Sequence, residues 1–206
     1  MFLSYNKKII RSEEYKISKW SGGTTTQIYI YPEESTYNDL NFKWRLSSAN
    51  VNLEESTFTH LPGISRKIMT LDNELILEHE NRYTRNLKPF EVESFSGDWK
   101  TKSYGKVTDF NLMINKDCDG DLKSLTINKN SSVEIYLENK DNKYKYISKA
   151  FYCVDGNFKI VIDNEELNVN KYDLLLVTME KEDTKLLKII NESHNNIKVI
   201  QSVIVF

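Results

Sequence analysis

The chain of 206 residues is poor in cysteine, histidine, proline, glycine and arginine, and each shortage excludes something. Its two cysteines, Cys118 and Cys153, lie far apart. They make neither a disulfide framework nor a Cys-x-x-Cys pair, so a reducing compartment is the default. Three histidines, His60, His79 and His194, fall at no His-x-His or His-x-x-x-His spacing. A site of two histidines and a carboxylate would need the fold to bring two of them together. With three prolines and seven glycines, the chain has no low-complexity stretch and no flexible linker. Long apolar runs are missing: none approaches the roughly 18 residues of a membrane helix, and mean hydropathy is -0.54. Met1 to Lys8 turn polar too soon for a secretory leader. Neither sign of charge dominates, with 28 basic against 30 acidic residues and a net charge of -2. The basic stripe of a nucleic-acid-binding protein is therefore lacking. The expectation is a cytoplasmic protein that meets neither nucleic acid nor membrane.

What is present is strand. Thr24 to Tyr31 reads Thr-Thr-Thr-Gln-Ile-Tyr-Ile-Tyr, β-branched and aromatic throughout. Phe42 to Ser47 alternates apolar and polar, as does the start of Phe158 to Asp163, and Lys198 to Phe206 reads as another strand. Turn signals separate such runs at Ser21-Gly22-Gly23, Pro62-Gly63, Asp72-Asn73, Ser96-Gly97-Asp98, Asp155-Gly156 and Asp163-Asn164. Only Ser12 to Tyr15 and the acidic stretch 180–188 could hold a helical turn. Many short strands closely spaced mean an all-β sandwich or barrel.

A repeat runs through the pattern. Leu71 to Leu77 resembles Val154 to Ile160, and Pro89 to Phe95 resembles Lys171 to Val177. The two offsets are nearly equal, which suggests a duplicated β-barrel unit. The boundary is expected in the loop chemistry of Asn115 to Gly120, giving units 1–115 and 116–206 packed as one body.

Most constellations that carry chemistry fail on inspection. His79, between Glu78 and Glu80, is the best single metal candidate, but a half-exposed strand histidine explains it as well. Counting an EF-hand from Asp117 places Leu122 where glycine is needed and Asn128 where glutamate is needed, so an acidic turn remains. No Gly-x-Ser-x-Gly elbow occurs, and Cys153 reads as a buried small residue. Ser21-Gly22-Gly23-Thr24 lacks the lysine of a phosphate loop and reads as a tight turn.

A polar set on apolar strands remains. The chain has five arginines, Arg11, Arg45, Arg66, Arg82 and Arg85, against 23 lysines. Arginine offers a planar fork that holds a carboxylate or phosphate through two hydrogen bonds. On a strand, Asp109, Asn111 and Met113 share one face, with Phe110 and Leu112 on the other; Arg45 and Ser47 likewise share a face. If these faces line a barrel interior, they form a pocket able to clamp a small anion. The alternative is a structural Arg–Asp pair bracing two loops.

In order along the chain, these segments resemble the HutD/Ves family. The carriers are Trp20-Ser21-Gly22-Gly23-Thr24-Thr25, Ile30-Tyr31-Pro32 and Phe42 to Val51. They continue with Phe58 to Arg66, Leu87-Lys88-Pro89-Phe90 and Val107 to Met113. The resemblance implies a bicupin of the RmlC-like cupin superfamily, two cupin-like antiparallel barrels in one chain, with no resident cofactor or metal. It implies no demonstrated catalysis: HutD members accompany histidine-utilisation genes and Ves members are associated with stress. It also implies a pocket drawing on Trp20, Thr25, Arg45, Ser47, Arg66, Asp109 and Asn111. This chain departs from the family in having Gln27 where many members have glutamate. It also has Asn115-Lys116 where members often have arginine after the Asp-Phe-Asn motif.

The expected function is thus the binding of a small carboxylated metabolite by Arg45 and Arg66. Asp109 and Asn111 would read a donor group, and Trp20, Thr25, Ser47 and Met113 would complete the pocket. Two alternatives stand beside it. One is a metal-independent isomerase or hydrolase with Asp109 as general base and His60 as its acid partner. The other is a structural or interaction protein, a homodimer pairing through an edge at Val203 to Phe206.

Overall fold

The computed structural model describes residues 5–138, 143–180 and 183–206. In chain order the strands are β1 (Tyr5–Ile10), β2 (Lys16–Trp20), β3 (Gly23–Tyr31), β4 (Trp44–Val51), β5 (Glu55–Thr57), β6 (Ile64–Thr70), β7 (Leu75–His79), β8 (Tyr83–Leu87), β9 (Val92–Ser96), β10 (Thr101–Tyr104), β11 (Thr108–Asn115), β12 (Asp119–Ile127), β13 (Ser131–Glu138), β14 (Tyr146–Cys153), β15 (Phe158–Ile162), β16 (Glu165–Val169), β17 (Leu174–Glu180), β18 (Thr184–Asn191) and β19 (Ile197–Val205). Ser12–Glu14 form a 3-10 turn, as the sequence suggests. Among the described residues there is no α-helix, and no helix long and apolar enough to cross a membrane. The chain is all-β.

The strands form two compact units. Tyr15–Leu122 build one from a six-stranded sheet, β2-β3-β4-β11-β6-β9, and a four-stranded sheet, β5-β10-β7-β8. Lys123–Phe206 and the stretch ending at Glu14 build the other, with sheets β1-β17-β14-β19-β12 and β13-β18-β15-β16. Set aside the added strands β1, β2 and β3, and the second unit repeats the first with every strand number raised by eight.

The repeat seen in the sequence is this duplication, and its turns match bond for bond. Asp72 accepts the amide of Thr108 at the start of β11; Asp155 accepts that of Lys198 at the start of β19. Asn81 and Asn164 both take positive φ in the hairpins β7–β8 and β15–β16, a conformation asparagine tolerates. Phe90 and Tyr172 both take φ near 70° and donate their amides to Thr70 and Cys153. A bulky side chain in this region is strained, and its recurrence shows that the turn is built into the unit.

The division of the chain differs from the expected 1–115 and 116–206. Strand β1 pairs antiparallel with β17, from Tyr5 opposite Met179 to Ile10 opposite Leu174. Arg11 then closes on Asp173 at 2.6 Å, and the Ser12 amide donates to the same carboxylate at 3.1 Å. The first strand therefore belongs with the C-terminal unit, where it covers the β17 edge. The other division lies within β12, because Asp119 and Gly120 are already strand.

Two further expectations are corrected. The leader reading of Met1–Lys8 lies partly outside the described residues. The possible helix at 180–188 also includes two residues outside them, and the rest of it is the end of β17 and the start of β18. The terminal strand β19 is no edge: β14 flanks it on one side and β12 on the other, so its backbone groups already have partners.

The two interiors differ. The second unit holds one continuous apolar core, including Phe151, Phe158, Ile160, Val177, Leu187 and Val199. In the first, two separate apolar clusters flank the cavity-lining strands. Ile64 and Met113 belong to one, Ile68 and Val107 to the other. Along β6 and β11, the residues between them are Arg66 and Asn111 with Asp109. A polar band interrupts the core.

Candidate functional site

Strand register brings the polar band together. Across β4, β11 and β6, Arg45 stands opposite Met113 and Met113 opposite Arg66. The next row is Ser47, Asn111 and Ile68, and the next Ala49, Asp109 and Thr70. On β3, Gln27 stands opposite Ser47 and Thr25 opposite Ala49, with a bulge after Gln27. Residues two apart on a strand share a face, so all of these side chains point the same way. All but Gln27, Ile68 and Thr70 line a cavity of about 360 Å³ within this unit.

Arg45 is nearly buried. Its Nε donates to Gln27 Oε1 at 2.9 Å and its Nη1 to Ser47 Oγ at 3.0 Å. The Tyr37 ring lies 4.6 Å from the guanidinium carbon. Burial lowers the pKa of this group, against the opposite pull of Tyr37 and Asp109.

Arg66 is 4% exposed, and its guanidinium carbon lies 4.4 Å from the Phe58 ring and 5.3 Å from Phe95. Its Nε has no hydrogen-bond partner among the described residues. Burial pushes its pKa down to about 10, and Arg45 adds to that, while Tyr37 and Asp109 oppose it.

Asp109 is 5% exposed, and its carboxylate accepts one long hydrogen bond, from the Ala49 amide at 3.3 Å. No ion pair joins it to either arginine. Burial pushes its pKa up to about 7, although Arg66, the Ala49 amide and Arg45 pull the other way; Asp72 adds to the rise. Asn111, 3% exposed, has an Oδ1 with no partner among the described residues.

Trp20, Thr25 and Met113 also line the cavity. Trp20 is 39% exposed, and its indole lies on Gly22, where a Cβ would come within 2.4 Å of two ring carbons. Gly23 runs at φ +153° against the Asn50 carbonyl, which a Cβ would meet at 1.9 Å. The Ser21-Gly22-Gly23 turn thus serves close packing. Trp20, Thr25, Arg45, Ser47, Arg66, Asp109, Asn111 and Met113 are all part of the lining of this cavity.

The expected partnership of Asp109 with His60 is not found. His60 is exposed and lies outside the cavity lining. His79 is buried rather than half-exposed, because it continues the inward phase of Leu75 and Leu77 on β7. Its Nδ1 shares a hydrogen bond with Thr101 Oγ1 at 2.8 Å, and Tyr83, Phe95 and Trp99 surround the ring. Among the described residues no three side chains of metal-ligating type gather.

Sequence reasoning missed the covers of the two cations. Tyr37 sits in the irregular link between β3 and β4, and Phe58 follows the short β5. It also missed Gln27 as the acceptor that orients Arg45, and the hydrogen-bonded pair Ser56 and Ser103, 2.8 Å apart. Alternation alone, carried from β4 onto β3, would have found Gln27. The other arginines serve the framework: Arg11 holds Asp173, Arg82 covers Trp99, and Arg85 faces Glu91 and Glu93.

The family model of HutD matches residues 12–194. The chain belongs to the HutD family. Protein Ves from Citrobacter koseri is 30% identical over 113 residues, covering 52% of this chain and 56% of that protein. The chain thus spans little more than half the length of that curated relative. Among solved structures, the conserved protein of unknown function PA5104 from Pseudomonas aeruginosa PAO1 superposes with a TM-score of 0.81. It is 19% identical and covers 97% of this chain and 98% of its own. HutD from Pseudomonas fluorescens SBW25 gives a TM-score of 0.68 at 19% identity, over 96% and 98% of the two chains. Hazelnut vicilin, from Corylus avellana, gives 0.64 at 8% identity, over 95% and 84%. Likeness at such low identity is likeness of fold, and the fold is that of a bicupin.

Proposed function

We propose that the cavity of the Tyr15–Leu122 unit binds a small carboxylated molecule. The observation that carries this reading is Arg66, a buried cation that among the described residues has no ion pair and an Nε without a partner, together with a second buried arginine in the same cavity lining. A buried charge is costly unless paired. Two such cations facing one open cavity are suited to an acid from outside, which would supply the missing acceptors in the geometry arginine prefers. Asn111 Oδ1 would accept a donor from the same molecule, and Trp20 would wall the mouth. The cavity volume falls at the lower end of small-molecule sites. Membership of the HutD family supports a place beside histidine utilisation or a stress response, with a binding rather than a synthetic role.

The test is a thermal-shift screen against small acids: urocanate, formylated and free glutamate, and sugar acids. An acid at about 100 times its Kd should add about 2.7 kcal/mol of stability. A hit that vanishes in Arg66→Lys supports the reading. No shift with any acid counts against it.

A second reading, a metal-independent isomerase or hydrolase, draws on the burial of Asp109 in the cavity lining, which pushes its carboxyl up to about 7, the range that suits a general base. His60 takes no part in it. Loss of turnover in Asp109→Asn with ligand affinity retained would favour this reading.

A further inference from the structure

The charge inside the cavity is not fixed. Arg45 comes from β4, Arg66 from β6, and Asp109 from β11 between them. Asp109 lies four residues along its strand from Met113, the residue opposite both arginines. Four residues of strand are roughly 13 Å. The long arginine side chains span part of that distance, all three groups line the one cavity, and their charges act on one another without touching. The facing elements add few other charges. The β6–β7 turn brings Asp72, whose carboxylate is exposed and holds the amides of Asn73 and Thr108. The link before β4 brings Tyr37. From β3, β5 and β10 come the uncharged Thr25, Ser56 and Ser103.

A second buried acid shows what a fully partnered carboxylate looks like in this chain. Asp173, 2% exposed, accepts Arg11 Nη1 at 2.6 Å, the Ser12 amide at 3.1 Å and the Asn170 amide at 3.0 Å. Asp109 has one donor, at 3.3 Å. Among the described residues Asp109 has no direct cation contact and no second donor of the kind that Asp173 has.

We propose, resting on the acid-binding reading above, that the proton on Asp109 sets which acids the cavity accepts. With Asp109 ionised, the two arginines leave one net positive charge and a monoanion neutralises it. With Asp109 protonated, two positive charges remain and a dianion neutralises them. A dianion therefore enters together with one proton, and its advantage over a monoanion shrinks as pH rises. By reciprocity, a bound dianion raises the proton affinity of Asp109. The rise of the Asp109 pKa to about 7 places this exchange near neutral pH.

The test compares succinate with butyrate, acids of equal carbon number that are both almost wholly ionised from about pH 7.5 to about 9. Calorimetric titration in two buffers of different ionisation enthalpy reads both affinity and protons taken up. Wild-type protein should take up about one proton per succinate and lose affinity about tenfold per pH unit above 7. Butyrate should lose less. Asp109→Asn should keep the preference for succinate at every pH, with no slope. Succinate binding without proton uptake, or a slope that survives in Asp109→Asn, would overturn the charge selection and leave the acid site standing. Failure of both acids to bind either protein would overturn the acid site itself.

Discussion

Asp109 and Val199 stand at the same place in the two units. Asp109 lies opposite Thr70 and Val199 opposite Cys153, each one residue beyond the amide that the turn aspartate, Asp72 or Asp155, accepts. Around Val199 lies the apolar core of that unit, with Phe151 where the first unit has Ile68 and Phe158 where it has Leu75. At the place of Arg66 stands Lys149, which donates its Nζ to the Tyr136 carbonyl, and at the place of Asn111 stands the buried Gln201. One copy of the duplicated unit carries a cavity with two arginines and an acid; the other carries larger apolar side chains at the matching places.

Val199→Asp should therefore be severe. It would bury a carboxylate in an apolar core whose neighbouring cation, Lys149, already donates to the Tyr136 carbonyl, at a cost of at least about 3 kcal/mol. Urea unfolding of the variant would show it as a lowered midpoint. A variant within about 1 kcal/mol of wild type would mean that this interior is not as closed as the packing indicates.

The ligand-free protein should lose stability as pH rises from about 4 to about 7. The folded-state pKa of Asp109 is raised above the ordinary carboxylate value, so the folded chain binds the extra proton in that window. Above it the loss is complete. Asp109→Asn carries no such titration, so at pH 8 it should be more stable than wild type by roughly 2 kcal/mol. At pH 5 the gap should be small. Equal stability at pH 8 would mean that the carboxylate is better solvated than its surroundings indicate.

Gln27→Glu should weaken acid binding. The new carboxylate would sit 2.9 Å from Arg45 Nε and compete for the charge the ligand needs. A tenfold loss corresponds to about 1.4 kcal/mol, the scale of one charge-assisted hydrogen bond. Unchanged affinity for a small acid, measured by calorimetry, would place the ligand away from Arg45.

Asp173→Ala separates framework from site. It would free Arg11 and two backbone amides that pin the end of β1, and should cost about 2–4 kcal/mol. Hydrogen exchange should rise first in β1 and β17. Acid affinity should stay as in wild type, because both arginines of the cavity lie in the other unit.

Much of this was legible in the sequence because the signal has period two. Arg45 with Ser47, and Asp109 with Asn111 and Met113, could be assigned to common faces without knowing any pairing. The repeat was legible because the turns carrying Asp72 and Asp155, and those carrying Phe90 and Tyr172, recur at nearly equal offsets with the same hydrogen bonds to satisfy. Which strands lie side by side was not legible. That β11 falls between β4 and β6 follows from contacts distant in sequence, and so does the pairing of β1 with β17. Tyr37 and Phe58 escaped because irregular segments carry no period. On β18, Lys185 and Lys188 mask an inward phase of Leu187 and Ile189, so the stretch did not read as strand.

The scarcity of arginine supplies the most direct test. A protein labelled with nitrogen-15 at arginine Nε should give only five such signals, assignable by single Arg→Lys variants. Titration with a small acid that binds should shift the signals of Arg45 and Arg66 and leave those of Arg11, Arg82 and Arg85 in place. Binding that moves only the latter three, or none of the five, would contradict an acid held between the two buried arginines.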